Sequence, residues 1–295
     1  MPPAEGPPRS DRRALVLGGG GLAGIAWHTG ALLGLVGAGL DMGGADLVVG
    51  TSAGATVAAQ LAGGTPLEAW FERQVDADLQ NKELAPPGLS VGELFEIMIR
   101  LYEEIADPAE RRRRIGAMAL AADTVPEAVR SSVVGGRLLE HTWPARPLCV
   151  VAVDAFTGER HVFDRNSGVD LVDAVAASSA VPGVWPPVTI GSSRYIDGGV
   201  YSSCNADLAV GYDLVLVLAP MVDPALDDQL ALIRSTGRVE TLSPDDASVA
   251  AFGPDPLDPS VRSPVARAGL AQGEQAAAVL DDYWKTETKT KTKTD

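Results

Sequence analysis

The sequence is short of the residues that most often announce a chemistry. It holds 2 cysteines, 3 histidines and 5% aromatic residues in 295 positions. Two cysteines, Cys149 and Cys204, make no disulfide framework and match no metal-ligand spacing. Cys149 falls in an apolar run and is expected to be a buried thiol. No apolar stretch approaches the ~20 residues needed to span a bilayer. The start of the chain is rich in Pro and charge and lacks the apolar core of a signal peptide, so 1–12 reads as a flexible leader. Positive charge is also scarce, with 24 Lys and Arg against 39 Asp and Glu and a formal net charge of −15. That sign disfavours nucleic acid as a partner and lasting contact with an anionic membrane, but it permits transient contact with a lipid surface. A cytoplasmic location fits these absences.

What the chain does have is apolar residues and glycine, 46% and 32 residues respectively. The length suits one large α/β domain or two small ones. Ala14 to Leu17 is a short apolar run that breaks into Gly18-Gly19-Gly20-Gly21, and a small-residue helix is expected from Gly24 to about Ala38. Asp46 to Val49 repeats the pattern, entering Gly50-Thr51-Ser52-Ala53-Gly54 and then a helix to about Leu61. Strand, tight turn and helix, twice over, predict a parallel α/β sheet. Several helices are expected over 66–130, and the Arg111–Arg114 run within them reads as a solvated face near carboxylates.

Further strands are expected at Leu148–Val153, Arg160–Phe163, Val188–Ile190, Arg194–Ile196 and Asp213–Leu218. Helices are expected at Asp170–Ser179, Ala225–Gly237 and from about Pro264 to Trp284. The span 13–284 thus reads as a single domain with a helical, cap-like insertion at about 66–130. The Lys/Thr alternation of 285–295 reads as a disordered tail.

Three glycine-containing sites carry the chemistry. Gly50-Thr51-Ser52-Ala53-Gly54 fits G-x-S-x-G between a strand and a helix, a turn that lifts a serine hydroxyl above the sheet. The helix behind it puts partial positive charge near an alkoxide. The glycine run offers backbone N–H groups that can converge on one oxygen, as an oxyanion requires. The same run also fits G-x-G-x-x-G, the dinucleotide fingerprint. That reading needs an acidic residue closing the second strand, whereas here the strand ends in Val49-Gly50 and enters the serine turn. Asp197-Gly198-Gly199 is the third site, and an Asp there could equally serve local backbone N–H groups.

A serine hydroxyl is a weak nucleophile and needs a positioned base. In the usual α/β-hydrolase order the histidine comes last, but His28, His141 and His161 all precede Asp197. A carboxylate acting directly on Ser52 is therefore the simpler proposal, with Asp197 as the candidate. His28 is expected to be a packing or surface residue of its helix.

These motifs, in this order, resemble the patatin-like phospholipases: Gly19-Gly20-Gly21-Leu22-Ala23-Gly24, Gly50-Thr51-Ser52-Ala53-Gly54 and Asp197-Gly198-Gly199. Ala177-Ser178-Ser179-Ala180-Val181-Pro182 resembles the family's segment before the Asp-Gly-Gly triplet. The resemblance implies a three-layer α/β/α fold with a mainly parallel central sheet. It also implies a Ser52–Asp197 dyad without histidine, an oxyanion hole from the N–H groups of Gly19, Gly20 and Gly21, and hydrolysis of a fatty-acyl ester or phospholipid through an acyl-serine. It implies no metal or organic cofactor. Ala23 stands where the family usually has Arg or Lys, which keeps the backbone donors but removes a charged contact to a phosphate-bearing substrate. Alternative functions are an acyltransferase on the same site, a nucleotide-binding protein using the glycine loop, and an inactive interaction module.

Overall fold

A computed structural model describes residues 11–284. Most of the expected leader and all of the expected tail lie outside the described residues. In chain order the strands are β1 (Arg13–Leu17), β2 (Leu47–Thr51), β3 (Leu148–Asp154), β4 (Arg160–Phe163), β5 (Val188–Ile190), β6 (Ser193–Asp197), β7 (Leu214–Leu218) and β8 (Arg238–Leu242). They form one sheet in the order β5-β6-β3-β2-β1-β7-β8, with β4 paired to β3. The pairs β1–β2, β1–β7, β2–β3 and β7–β8 are parallel, and those involving β4, β5 and β6 are antiparallel.

The parallel strands are buried on both faces, as their unbroken apolar runs require. Leu15, Leu17, Val48, Val150 and Leu216 face a layer made by the helices α1 (Gly21–Gly37), α2 (Ala53–Ala62), α7 (Leu171–Ser178) and α10 (Arg262–Trp284). Ala14, Val16, Val49, Val151 and Val217 face the opposite layer, where Leu230 and Ile233 of α8 (Leu226–Arg234) and the 204–209 segment cover them. This is the expected three-layer arrangement. Between the first two layers of sequence lie α3 (Leu67–Val75), α4 (Val91–Glu104), α5 (Pro108–Ala121) and α6 (Glu127–Gly136). Ile115 and Ala119 of α5 pack on Val153 and Ile196, which closes the sheet beyond α8.

The helices α1 and α10 approach unusually closely. A Cβ at Gly34 would fall 2.6 Å from the Glu274 nitrogen, and one at Gly269 would fall 2.6 Å from the Trp27 carbonyl oxygen. Glycine on both helices is what lets the two backbones touch. Trp27 closes the contact from the side, its Nε1–H donating to Gln272 Oε1 at 2.8 Å.

Two elements have no counterpart in the sequence reading. The strand β8 occupies the stretch after α8, where a loop was expected, and α9 (Asp246–Phe252) follows it. An edge strand with one fully buried residue, Val239, carries little apolar alternation to detect. The helix α9 has seven residues, and its signal is confined to the Asp245 side chain accepting from Ser248 N–H. Cys149, expected to be buried, is only partly so.

The pairing of β3 positions the site. Val150 and Val151 pair with β2 and β4 on opposite sides, and Ala152 and Val153 pair with β4 and β6. The strands β2 and β6 therefore share one edge of β3 and run toward each other along it. β2 ends at Thr51 opposite Val151, and β6 ends at Asp197 opposite Ala152. Ser52 and Asp197, far apart in sequence, meet where the two strands abut.

Candidate active site

Ser52 lies between β2 and the first residue of α2, with φ 54° and ψ −113°. A non-glycine residue held at positive φ stores strain of order 1–3 kcal/mol, and such residues cluster at functional sites. Among the described residues only Ser52 and Asn205 share this feature. The turn is held from three sides. Ser52 N–H donates to Ser178 Oγ at 2.9 Å, and Ser178 Oγ–H donates to the Val151 carbonyl at 2.6 Å. Gly54 N–H donates to the Gly18 carbonyl at 3.1 Å, a contact that brings the Leu17–Gly18 backbone where a Cβ on Gly54 would stand.

Asp197 is buried, and the Ser52 side chain stands close enough to its carboxylate to favour the ionised form. Gly199 N–H also donates to Asp197 Oδ1, at 2.7 Å. Burial pushes the Asp197 carboxyl up to about 6, and the bonds from Ser52 and Gly199 and the charge of Arg130 only partly oppose that rise. A carboxylate so adjusted takes up a proton near neutral pH more readily than an exposed aspartate does.

The glycine loop follows β1 and faces this pair. A Cβ on Gly19 would lie 3.6 Å from Ser52 Cβ. Gly19, one of three expected donors, gives its N–H to the Ser203 carbonyl at 2.9 Å, so in this arrangement it is not free for an oxyanion. The N–H groups of Gly20 and Gly21 have no acceptor among the described residues. Gly21 has φ +64°, a left-handed conformation at the start of α1 that suits glycine. Ala53 N–H, opening α2 beside Ser52, is a further unengaged donor among the described residues. The site thus lies at the carboxyl ends of β1 and β2, next to the point where the strand order reverses between β2 and β7. Ligands of open α/β sheets bind in this position.

None of the three histidines lines the pocket that contains Ser52. His141 Nε2–H donates locally to the Gly135 and Leu138 carbonyls, and His161 packs against Phe163 and Tyr195. His28 is completely buried, and its Nε2 lies 2.9 Å from the Gly18 carbonyl. Burial lowers its pKa to about 4, so it is neutral at physiological pH, and Gly18 fixes the tautomer with the proton on Nε2. It is more than the packing residue expected, because it holds the carbonyl from which the glycine loop departs.

Three residues near the dyad were given no role from sequence. Ser178 belongs to the quoted Ala177–Pro182 stretch, and the signal was present without its meaning. Arg130 and Asn205 carry no motif at all. Asn205 has φ 52° and is fully buried; its Nδ2 donates to Ser202 O at 2.6 Å and to Thr51 Oγ1 at 3.1 Å. It ties the residue before the nucleophile to the segment after the Asp-Gly-Gly turn. Asn205→Ala is expected to lower stability by about 2–3 kcal/mol, from lost buried bonds and a conformation alanine tolerates poorly. Asn205→Gly should recover only the conformational part, so urea midpoints of the two variants separate the contributions.

The patatin-like phospholipase family model matches residues 15–210, and the chain belongs to that family. No curated protein matches at a significant level. Among solved structures, VipD from Legionella pneumophila is 13% identical with a TM-score of 0.47, over 94% of this chain and 67% of VipD. The type III effector protein ExoU is 17% identical with a TM-score of 0.43, over 92% of this chain and 54% of ExoU. ExoU in its heterodimeric complex with SpcU, from Pseudomonas aeruginosa, is 19% identical with a TM-score of 0.38, over 92% of this chain and 52% of that one. The chain thus spans about half the length of ExoU.

Proposed function

We propose that the protein is a serine lipid acyl hydrolase that works through a Ser52–Asp197 dyad and an acyl-serine. The observation that carries this reading is the meeting of Ser52 and Asp197 at the abutting ends of β2 and β6. As Ser52 Oγ attacks the ester carbonyl, its proton passes to Asp197. The oxyanion that forms is met by the N–H groups of Gly20 and Gly21, with Ala53 N–H at the helix N-terminus as a further donor. Collapse of the intermediate releases the alcohol, which takes the proton from Asp197. Water then gives a proton to Asp197 as it attacks the acyl-serine, and on collapse Ser52 Oγ takes that proton back as the fatty acid is freed.

Residues 13–284 act on this reading as one catalytic unit, and the 66–130 helices cover the pocket. Leu94 and Met98 of α4 and Met118 of α5 pack with Val181 and Trp185, and the last two line the pocket. In this closed arrangement the space beside Ser52 holds little more than one water molecule, so an acyl chain enters by moving that cover. Among the described residues no helix is long and apolar enough to cross a membrane. We place the enzyme in the cytoplasm, in transient contact with lipid surfaces.

Labelling by a fluorophosphonate probe tests the assignment. Covalent modification of Ser52 in the wild type, with turnover of a short-chain p-nitrophenyl ester, supports it; a folded wild type that does neither refutes it. The oxyanion assignment has its own test. A Cβ on Gly20 would fall 2.8 Å from Gly24 Cα and 3.0 Å from Pro220 Cβ, so Gly20→Ala must displace the loop. The expected loss is about 10²–10³ in kcat with the fold intact. Full activity in the folded variant would remove Gly20 from the mechanism.

A further inference from the structure

Glu83 is buried and is held by three arginines. Arg137 grips it in two bonds, Nε to Oε1 at 3.0 Å and Nη2 to Oε2 at 2.6 Å, and Arg262 Nη2 reaches Oε1 at 2.6 Å. Those bonds, with Asn81 Nδ2 at 3.3 Å, account for both carboxylate oxygens. The third arginine, Arg130 on α6, stands farther off, with Nη1 at 3.7 Å from Glu83 Oε2. Three guanidinium charges thus share one carboxylate.

Arg130 is 4% exposed. Its plane stacks over the Trp185 ring at 4.0 Å, an arrangement that orients the guanidinium without giving it an acceptor. Nε and Nη1 are buried and have no hydrogen-bond partner among the described residues. A buried guanidinium with idle donors is rare because each lost water bond must be replaced. Arg130 also lines the same pocket as Ser52 and Ala53, together with Glu83 and Arg137. Its field reaches the dyad, since its charge favours the ionised form of Asp197.

A purely structural account leaves this arrangement unexplained. Arg137 and Arg262 already neutralise Glu83 with short bonds, and Arg137 repels the third charge. Trp185 could be packed by any long side chain. Arg130 is left with a distant share of Glu83 and the field of Asp197, and its Nε and Nη1 have no close acceptor among the described residues. The glycine loop, with Ala23, brings no cation of its own.

We propose that Arg130 is a specificity-determining residue that takes an oxyacid group of the substrate, a phosphate or phosphodiester oxygen, on its guanidinium, whose Nε has no acceptor among the described residues, while Ser52 attacks the adjacent acyl ester. This inference rests on the hydrolase reading above and adds to it the residue that reads the headgroup. Arg130 reaches the pocket from α6, and a guanidinium forms strong charge-assisted hydrogen bonds to phosphate oxygens.

The experiment compares hydrolysis of a lysophosphatidic acid with that of the monoacylglycerol of the same chain, in wild type, Arg130→Gln and Arg130→Lys. Both rates should fall in the Gln variant, because Asp197 loses a neighbouring charge. The ratio of kcat/KM for the phosphate ester over the neutral one should fall by a further factor of about 10–100, the loss expected for charged hydrogen bonds. Arg130→Lys should recover part of that ratio. Equal losses on both substrates, or an unchanged ratio, would overturn the proposal.

Should Arg130→Gln fail to fold, competition in the wild type decides. Glycerol 3-phosphate should inhibit p-nitrophenyl ester turnover competitively and glycerol should not; no difference between them counts against Arg130. Inorganic phosphate in a third arm separates free phosphate from a lipid headgroup, since inhibition by it equal to that of glycerol 3-phosphate assigns the site to the bare ion and overturns headgroup recognition. Fluorophosphonate labelling of Ser52 in each variant reports the dyad independently of any headgroup, so failure of the hydrolase reading is seen separately. If the wild type neither labels nor turns over, quenching of Trp185 by glycerol 3-phosphate, absent in Trp185→Phe, still tests the anion site: a signal supports it and none refutes it.

Discussion

Asp197→Asn is expected to abolish most of the turnover while making the folded protein more stable. Loss of a positioned general base typically costs about 10²–10⁴ in rate. The substitution preserves the local frame, because the amide oxygen can still accept from Gly199 N–H. The stability gain follows from linkage. The folded state holds the Asp197 proton up to about pH 6, whereas a free aspartate loses it near 3.8. The wild type therefore carries its full stability from this group below pH 3.8, loses it progressively as pH rises to 6, and stays lowered above that. Converted at 1.36 kcal/mol per pH unit, the penalty is about 3 kcal/mol at neutral pH, an upper figure to order of magnitude. Asn has no charge to bury and avoids it. Urea unfolding at pH 4.5 and pH 8 checks the sign: the difference between variant and wild type should grow with pH. In parallel, wild-type turnover should rise through about pH 6 and level off above. An Asn variant less stable than wild type at pH 8 would contradict the burial origin of the shift.

Ser52→Ala is expected to remove acylation altogether, with no fluorophosphonate labelling and ester turnover at the background rate. Ser52→Gly should be equally inactive but differ in stability. Its φ of 54° costs serine and alanine strain that glycine escapes, so Gly should exceed Ala by about 1 kcal/mol or more. Thermal melts of the pair measure that strain without reference to catalysis. If the two variants melt together, the elbow is not strained, and only the labelling result would then support the nucleophile. The strain and the raised carboxyl of Asp197 are two separate places where the fold gives up stability for a reactive site.

Much of this architecture was legible because its signals are local. β1 and β2 are short apolar runs ending in glycine turns, and parallel burial leaves no other reading for them. Ser52 was legible for the same reason, since the elbow is five consecutive residues. Asp197 was legible as a turn residue, but its partnership with Ser52 came from elimination of histidine and from family resemblance. Its physical basis, two strands sharing one edge of β3, is a matter of register that no local pattern encodes. The same limit hid Asn205 and Arg130, whose partners lie at distant positions. The bond from Gly19 N–H to the Ser203 carbonyl was hidden for the same reason, since Ser203 is remote in sequence. β8 was missed because a strand at the sheet edge has little apolar character to show.

The contact between α1 and α10 has a consequence for how the enzyme is born. Residues 21–37 carry the glycine loop at their head, and the helix that packs on them is not made until residue 284. The strand β1, from which the loop springs, likewise waits for β7, its parallel neighbour at 214–218. Chains emerge from the ribosome N-terminus first, and pairing between such distant segments is slow. Until residues 214–284 have been made, then, the nascent chain holds Ser52 and the glycines but lacks elements that pack against them. On the proposed function, ester hydrolysis is therefore expected only once residue 284 has been made.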